Sequence, residues 1–231
     1  AEVASVTGAL FIQGDAGNAD DAANVVATAI EQLGGLDILM NNAGAPAKPA
    51  PFEDLSLENF DATMAVHVRG ALAHSQHAVR HMRAQKSGSI INVGSIAGHR
   101  AGYTASMLYA VAKAAVIHMT KCAAMELGED GVRVNCISPG VIATGIFAKA
   151  MGMDTDIAET TVEKVKPMIA GMQAVPRAGE TDDIANAAVY LGSDEAGFVN
   201  GVDMVIDGGL IWGRRYSETS KGGGTWSTLF D

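Results

Sequence analysis

The sequence predicts an α/β fold, a three-layer arrangement in which helices cover both faces of a doubly wound parallel sheet. Three observations carry this. Short apolar runs alternate with segments of helical spacing along the 231 residues. The runs are apolar throughout rather than alternating with polar residues, as strands covered on both faces are. Glycine, asparagine and proline cluster directly after the runs, where the chain must turn. With 48% hydrophobic and 18% charged residues the chain can bury a sizeable core. There is no internal repeat and no linker, so residues 1–231 read as a single domain.

The elements follow in order. Ala9–Gln13 (ALFIQ) reads as a strand ended by Gly14-Asp15, with the preceding VTG as the turn before it. Asp20–Leu33 has helical spacing and stops at Gly34-Gly35, a C-cap signal. Leu36–Met40 is a strand ended by Asn41-Asn42-Ala43-Gly44. After a proline-rich loop, one long helical pattern runs from about Leu57 to Gln85 and breaks at Lys86-Ser87-Gly88. Ser89–Val93 is the next strand, Met107–Leu127 a helix, and Val132–Ile137 a strand stopped by Ser138-Pro139-Gly140. The stretch 145–174 is mixed and carries Met151, Met153, Met168 and Met172. Thr181-Asp182-Asp183 begins a helix to Leu191, Asp203–Ile206 is the last strand, and a polar, glycine-rich tail fills about 210–231.

The formal net charge of −10 argues against nucleic acid or an anionic membrane surface as the main partner. No apolar run reaches bilayer length and no secretory leader opens the chain, so the expected setting is the cytoplasm. Cys122 and Cys136 lie in apolar surroundings and read as buried thiols rather than a disulfide.

In such sheets ligands bind beyond the carboxyl ends of the strands. The unusual residues gather there: Gly14-Asp15, Asn41–Gly44, Gly94-Ser95 and Pro139-Gly140. Tyr109 and Lys113, four residues apart, share one helix face. An ammonium beside the phenol should lower a pKa that is ordinarily near ~10, suiting the group to proton transfer with an alcohol or carbonyl. A lone tyrosine–lysine pair at this spacing is a weak signal, since a solvated lysine beside a half-buried tyrosine gives the same pattern. Ser95, fourteen residues earlier at a strand end, can hydrogen-bond the same oxygen.

NNAG after LDILM, then Ser95, Tyr109/Lys113, PG after VRVNCI and a late DGG, taken together and in this order, resemble the short-chain dehydrogenase/reductase family. The resemblance extends from Phe11 to Gly209 and is close in PRAGETDDIANAAVYLGSDEAGFVNGVDMVIDGG. It implies a Rossmann-like fold and reversible hydride transfer between NAD or NADP and a small apolar alcohol or carbonyl compound. By matching position, Tyr109 would be the general acid–base, Lys113 would bind the nicotinamide ribose and Ser95 would orient the substrate. Asp15 would approach the adenine, and Asn42, Ala43 and Gly44 would line the adenosine side. Pro139, Gly140, Ile142 and Thr144 would meet the nicotinamide end. The resemblance also implies a homo-oligomer, dimer or tetramer, with the alanine-rich face of Ala110, Ala114 and Ala115 permitting close helix approach.

Two departures stand out. Where the family has a relay asparagine in the long central helix, AVHVRG carries His67, whose imidazole can both donate and accept. The TGxxxGxG strand–loop–helix and second strand of the family are not in this sequence, and SVTGALFIQGD cannot replace them because Leu10-Phe11-Ile12 fills the would-be turn. The expectation is a preceding βαβ unit of roughly 30 or more residues. The residue that selects NAD or NADP would lie there, leaving a slight preference for NAD. His67, His74, His77 and His81 form one helical stripe, and an amphipathic helix explains it better than a metal site because no carboxylate or thiol completes the set. The alternative to an enzyme is a catalytically silent paralogue with a binding or structural role. The methionine-rich segment after Thr144 reads equally as a wall for a bulky apolar substrate or as the core of a lid.

Overall fold

The computed structural model describes residues 2–221. Two compact units divide the chain, the first comprising residues up to Ile137 together with Ala187–Met204, the second Ser138–Asn186 together with residues from Val205 onward. A four-stranded sheet has the order β1-β2-β3-β4, formed by β1 Ile38–Asn41, β2 Gly88–Val93, β3 Val132–Pro139 and β4 Asp203–Ile206. β1 pairs with β2 and β2 with β3 in parallel, in a register that sets Ile38 beside Ser89 and Ile90 beside Val134. The Cys136 N–H donates to the Val202 carbonyl, and the Gly140 N–H to that of Ile206. Both partners advance by the same number of residues in the same direction, so this edge is parallel too.

Two sequence expectations fail at the start of the chain. Residues 2–7 form a helix, α1 (Glu2–Thr7), and Gly8 ends it with φ +73° and its N–H on the Ala4 carbonyl. VTG is therefore a helix end rather than a turn before a strand. The run Ala9–Gln13 is not a strand. β1 is the edge of the sheet among the described residues, so no neighbour supplies a hydrogen-bonding ladder, and Leu10 and Phe11 remain exposed.

From there the expected elements appear. α2 (Ala19–Leu33) begins at Asn18, whose side-chain oxygen accepts from the N–H groups of Asp20 and Asp21. Gly34 ends it in the left-handed region. The long helix is interrupted rather than uniform: α3 (Leu57–Met64) passes through a π turn, Ala65–Arg69, into α4 (Gly70–Gln85). The extra residue in that turn re-aims side chains, and His67 is buried within it. α5 (Met107–Leu127) starts on Ser106, whose hydroxyl accepts from the Tyr109 N–H. In the first unit Val26, Ala78, Met82, Ile90, Leu127 and Val132 pack into one core between α2, α4, α5 and the sheet.

The mixed segment of the second unit forms three short helices, α6 (Ile146–Ala150), α7 (Thr155–Glu159) and α8 (Val162–Ala170). A smaller core of Ala143, Ile169 and Ala178, with Phe147, Val162 and Val165 packed against it, supports α6 and α8. α9 (Thr181–Gly192) follows, as expected. The tail begins later than its composition indicates, because Leu210 and Ile211 are buried in a 3-10 turn, and α10 (Tyr216–Lys221) comes after it. Residues 222–231 lie outside the described residues. Cys136 is buried but Cys122 is exposed, contrary to expectation. The inward stripe of α5 runs through Ala112, Val116, Thr120 and Ala124, and position 122 lies off it. Among the described residues no helix is long and apolar enough to cross a membrane.

Candidate active site

The first unit brings Ser95, Tyr109, Lys113 and His67 together. Ser95 sits just past β2, where its extended backbone starts a 3-10 turn, Ile96–Gly98. Its hydroxyl accepts from the Ala97 N–H at 3.1 Å and faces the Tyr109 phenol, whose pKa it draws down. Lys113 lies one turn along α5, with only 4% of its surface exposed. Its ammonium donates to the Val93 carbonyl at 2.7 Å, at the end of β2. The same ammonium is 5.6 Å from the centre of the Tyr109 ring. Thus the end of one strand fixes the lysine, and the turn after it fixes the serine, against a single helix face.

His67 reaches the group from the π turn. Its ring meets that of Tyr109 edge-on, with centroids 5.4 Å apart and planes at 86°. Nε2 lies 2.9 Å from the Ala45 carbonyl oxygen. A carbonyl can only accept, so the proton of the neutral ring sits on Nε2. Nδ1, buried and without a hydrogen bond, keeps an unshared lone pair. Gly44 makes room for this ring, since a Cβ there would stand 2.8 Å from Cε1.

Burial governs the electrostatics. It depresses the Lys113 ammonium from 10.5 to about 8. It depresses His67 as well, with the Lys113 charge adding to the effect, so the imidazole is neutral at pH 7. The expectation that Tyr109 titrates below its ordinary value is not met. Burial pushes the phenol up, and the Ser95 hydrogen bond pulls it down by less. A buried phenolate loses more hydration than one hydroxyl returns. The tyrosine is thus a held proton donor at neutral pH.

Asn42 and Ala43 line a cleft of about 240 Å³ together with Ala16, Val25, Leu39, Met40, Asn41, Val66, Gly70, Ala71 and His74. Asp15 is exposed one residue before this lining, and its carboxylate accepts from the Gly17 N–H at 2.8 Å. It serves as a turn residue leading into α2, and no strand delivers it. In the second unit Gly140 packs tightly on Asp207, and Ile142 bridges Gly179 and lines a cavity of about 210 Å³. Pro139 is the last residue of β3. Thr144 accepts from the Ile146 N–H at 3.4 Å. Among the described residues no three His, Cys, Asp or Glu side chains converge as metal ligands. In the histidine stripe, His74 bonds back to the Gly70 carbonyl, and His67 turns toward Tyr109.

A buried polar network beneath the site escaped the sequence reading. The Asn41 amide donates to Asn92 Oδ1 at 2.8 Å and to the Ser75 hydroxyl at 3.0 Å, and the Asn92 amide donates to Thr120 Oγ1 at 2.9 Å. It ties β1, β2, α4 and α5 together directly under the strand ends. The signal for it was an asparagine in the middle of the apolar run SIINV, where an unpaired amide would be costly.

Known proteins share this chain's sequence pattern and fold. A family model described as Enoyl-(Acyl carrier protein) reductase matches residues 1–211. The chain is 37% identical over 205 residues to xanthoxin dehydrogenase of Arabidopsis thaliana, covering 87% of this chain and 71% of that protein. Among solved structures, a gluconate 5-dehydrogenase from Burkholderia cenocepacia in complex with NADP and tartrate superposes with a TM-score of 0.74 at 27% identity, over 87% of this chain and 74% of the other. An NAD+-bound xylitol dehydrogenase superposes with a TM-score of 0.72 at 28% identity, over 84% and 76%.

Proposed function

Because the chain belongs to the short-chain dehydrogenase/reductase family of oxidoreductases, we propose that it interconverts a secondary alcohol and a ketone with NAD or NADP, using Tyr109 as general acid–base. The observation that carries this reading is the Ser95–Tyr109–Lys113 set, with Ser95 and Lys113 buried, Tyr109 half-buried and His67 at its edge. The neighbours hold NADP in one case and NAD+ in the other, so they do not favour the NAD expected from the sequence.

The residues fit the cofactor. The cleft beside β1 has apolar walls in Val25, Leu39, Ala43 and Val66, which suit a planar base, and a polar edge at Asn42. When bound, the nicotinamide supplies or accepts a hydride. In the reductive direction Tyr109 gives its phenolic proton to the substrate carbonyl oxygen, and Ser95 donates a hydrogen bond to the same oxygen. The high phenol pKa keeps that proton in place before reaction. Lys113, still charged at pH 7, stabilises the phenolate that forms. Its second role in this proposal is to hold the nicotinamide ribose. His67 stands where the family resemblance places a relay asparagine, and its proposed role is to hold the Gly44-Ala45 backbone beside the site. In the second unit Pro139, Gly140, Ile142 and Thr144 are proposed as contacts for the nicotinamide end.

An apolar alcohol or ketone is proposed as the substrate, as the family resemblance implies. A homo-oligomer is proposed as well, and sedimentation analysis tests it. The central experiment measures turnover of a panel of secondary alcohols and ketones with each cofactor, alongside cofactor binding by nicotinamide fluorescence. Tyr109→Phe is expected to abolish turnover and spare cofactor binding. Persisting turnover in that variant would refute the acid–base assignment.

A further inference from the structure

Four residues beyond Ser95, His99 closes the turn that carries it, and the partner of His99 is not a member of the proposed catalytic set. His99 Nε2 lies 2.6 Å from Asp203 Oδ2. The Asp203 side chain is only 6% exposed, against 28% for His99. Both carboxylate oxygens are sealed from solvent and receive no well-directed hydrogen bond, so the close imidazole is the one ion-pair partner that Asp203 has among the described residues. A carboxylate so buried is strongly unfavourable unless a donor faces it, and the contact is held by that need.

Asp203 is a fixed anchor. It is the first residue of β4, and the preceding Val202 is bonded to β3 on both sides: its N–H donates to Asn135 Oδ1 and its carbonyl accepts from Cys136. The turn itself is short and closed. The Gly98 N–H donates to the Ser95 carbonyl at 2.9 Å, and the His99 N–H to that of Ile96 at 3.1 Å. Gly98 presses against the α5 backbone beside Lys113, where a Cβ would stand 2.8 Å from the carbonyl carbon of Lys113 and from the Ala114 nitrogen. A displacement of His99 is therefore transmitted over one turn to Ser95.

We propose, on the reading of the site given above, that His99 is a positioning residue, its tether to Asp203 holding the Ser95–His99 turn so that the Ser95 hydroxyl stays on the Tyr109 phenol. Truncating the imidazole frees the end of the turn while leaving Ser95, Tyr109 and Lys113 in place. Glutamine, whose amide nitrogen can occupy the place of Nε2, restores the donor.

The test combines hydrogen exchange with kinetics. In His99→Ala, backbone exchange over 95–99 is expected to rise about tenfold, and kcat to fall about tenfold with cofactor affinity within about twofold. His99→Gln should recover most of both. Should His99→Ala fail to fold around the lone carboxylate, the double variant His99→Leu/Asp203→Leu removes the tether without burying a charge, and it carries the same expectation. Unchanged exchange in the truncated variant overturns the tether. Faster exchange with unchanged kcat overturns the positioning of Ser95. Wild-type protein inert toward the whole alcohol and ketone panel would overturn the function proposed above and the catalytic half of this inference with it, while exchange still decides the tether.

Discussion

Replacing Lys113 by methionine should reveal how much stability the site gives up. The wild-type ammonium is almost fully buried and has its pKa depressed from 10.5 to about 8, chiefly by lost hydration. A lysine whose folded pKa lies below its unfolded one holds fewer protons folded than unfolded between those values, so stability rises with pH across that window. Below about 8 the full penalty applies, and above 10.5 it is gone. At roughly 1.4 kcal/mol per tenfold change in proton affinity, the penalty is about 3 kcal/mol. Methionine removes it but leaves the Val93 carbonyl without its donor, a loss of about 1–3 kcal/mol. Near neutral pH the variant should thus be as stable as the wild type or up to about 2 kcal/mol more stable. The sharper signal is the difference between the two proteins as pH changes. From about pH 7.5 to about pH 9.5 the wild type should gain about 2 kcal/mol relative to the variant, or roughly 4–8 °C in Tm. Titrating groups not coupled to Lys113 cancel in that difference, and His67 stays neutral across this pH range. Thermal unfolding followed by circular dichroism at four pH values measures it. A difference that stays flat, or one that falls with rising pH, would refute burial as the cause of the depressed lysine.

Two further substitutions probe what supports the site. Gly98→Ala places a Cβ 2.8–2.9 Å from backbone atoms of α5 and from Ile117 Cδ1, and such overpacking costs about 1–3 kcal/mol. The expected result is a Tm lower by several degrees with a fall in kcat, and unaltered values of both would show that the turn moves freely off α5. Asn92→Leu should cost about 1–3 kcal/mol by leaving the Asn41 amide and Thr120 hydroxyl short of a partner. Combined with Thr120→Val the losses should be less than additive in a double-mutant cycle of urea midpoints, and strict additivity would mean the two side chains are not coupled.

Much of the fold was legible because local signals and burial agree. Met107–Leu127 reads as a helix and starts at Met107 as expected, and Asp203–Ile206 reads as a strand from apolar residues ended by Asp207-Gly208-Gly209. Ala9–Gln13 misled for a physical reason. Its residues suit a strand, but a strand exists only where a neighbour supplies its hydrogen bonds, and that neighbour cannot be read from the run itself. The π turn at Ala65–Arg69 was not legible, because the sequence reads as one helical pattern from about Leu57 to Gln85. At the site, spacing brought Tyr109 and Lys113 to one face correctly. It could not show that the lysine is spent on the Val93 carbonyl, nor that burial outweighs charge at the phenol.

These two failures share a cause that bears on how the site would work. Sequence spacing reports which groups are neighbours, whereas protonation depends on how much water each has lost. Here all three titratable groups are pushed toward their neutral forms by the same burial: Tyr109 upward, Lys113 and His67 downward. A site that disfavours charge everywhere strengthens any charge that the reaction creates and any dipole aimed at it. Ser95 is the hydroxyl that draws the phenol pKa down against burial. Its placement therefore matters more than its chemistry, and a device that fixes it, such as the His99–Asp203 contact, can influence rate without approaching the reacting atoms.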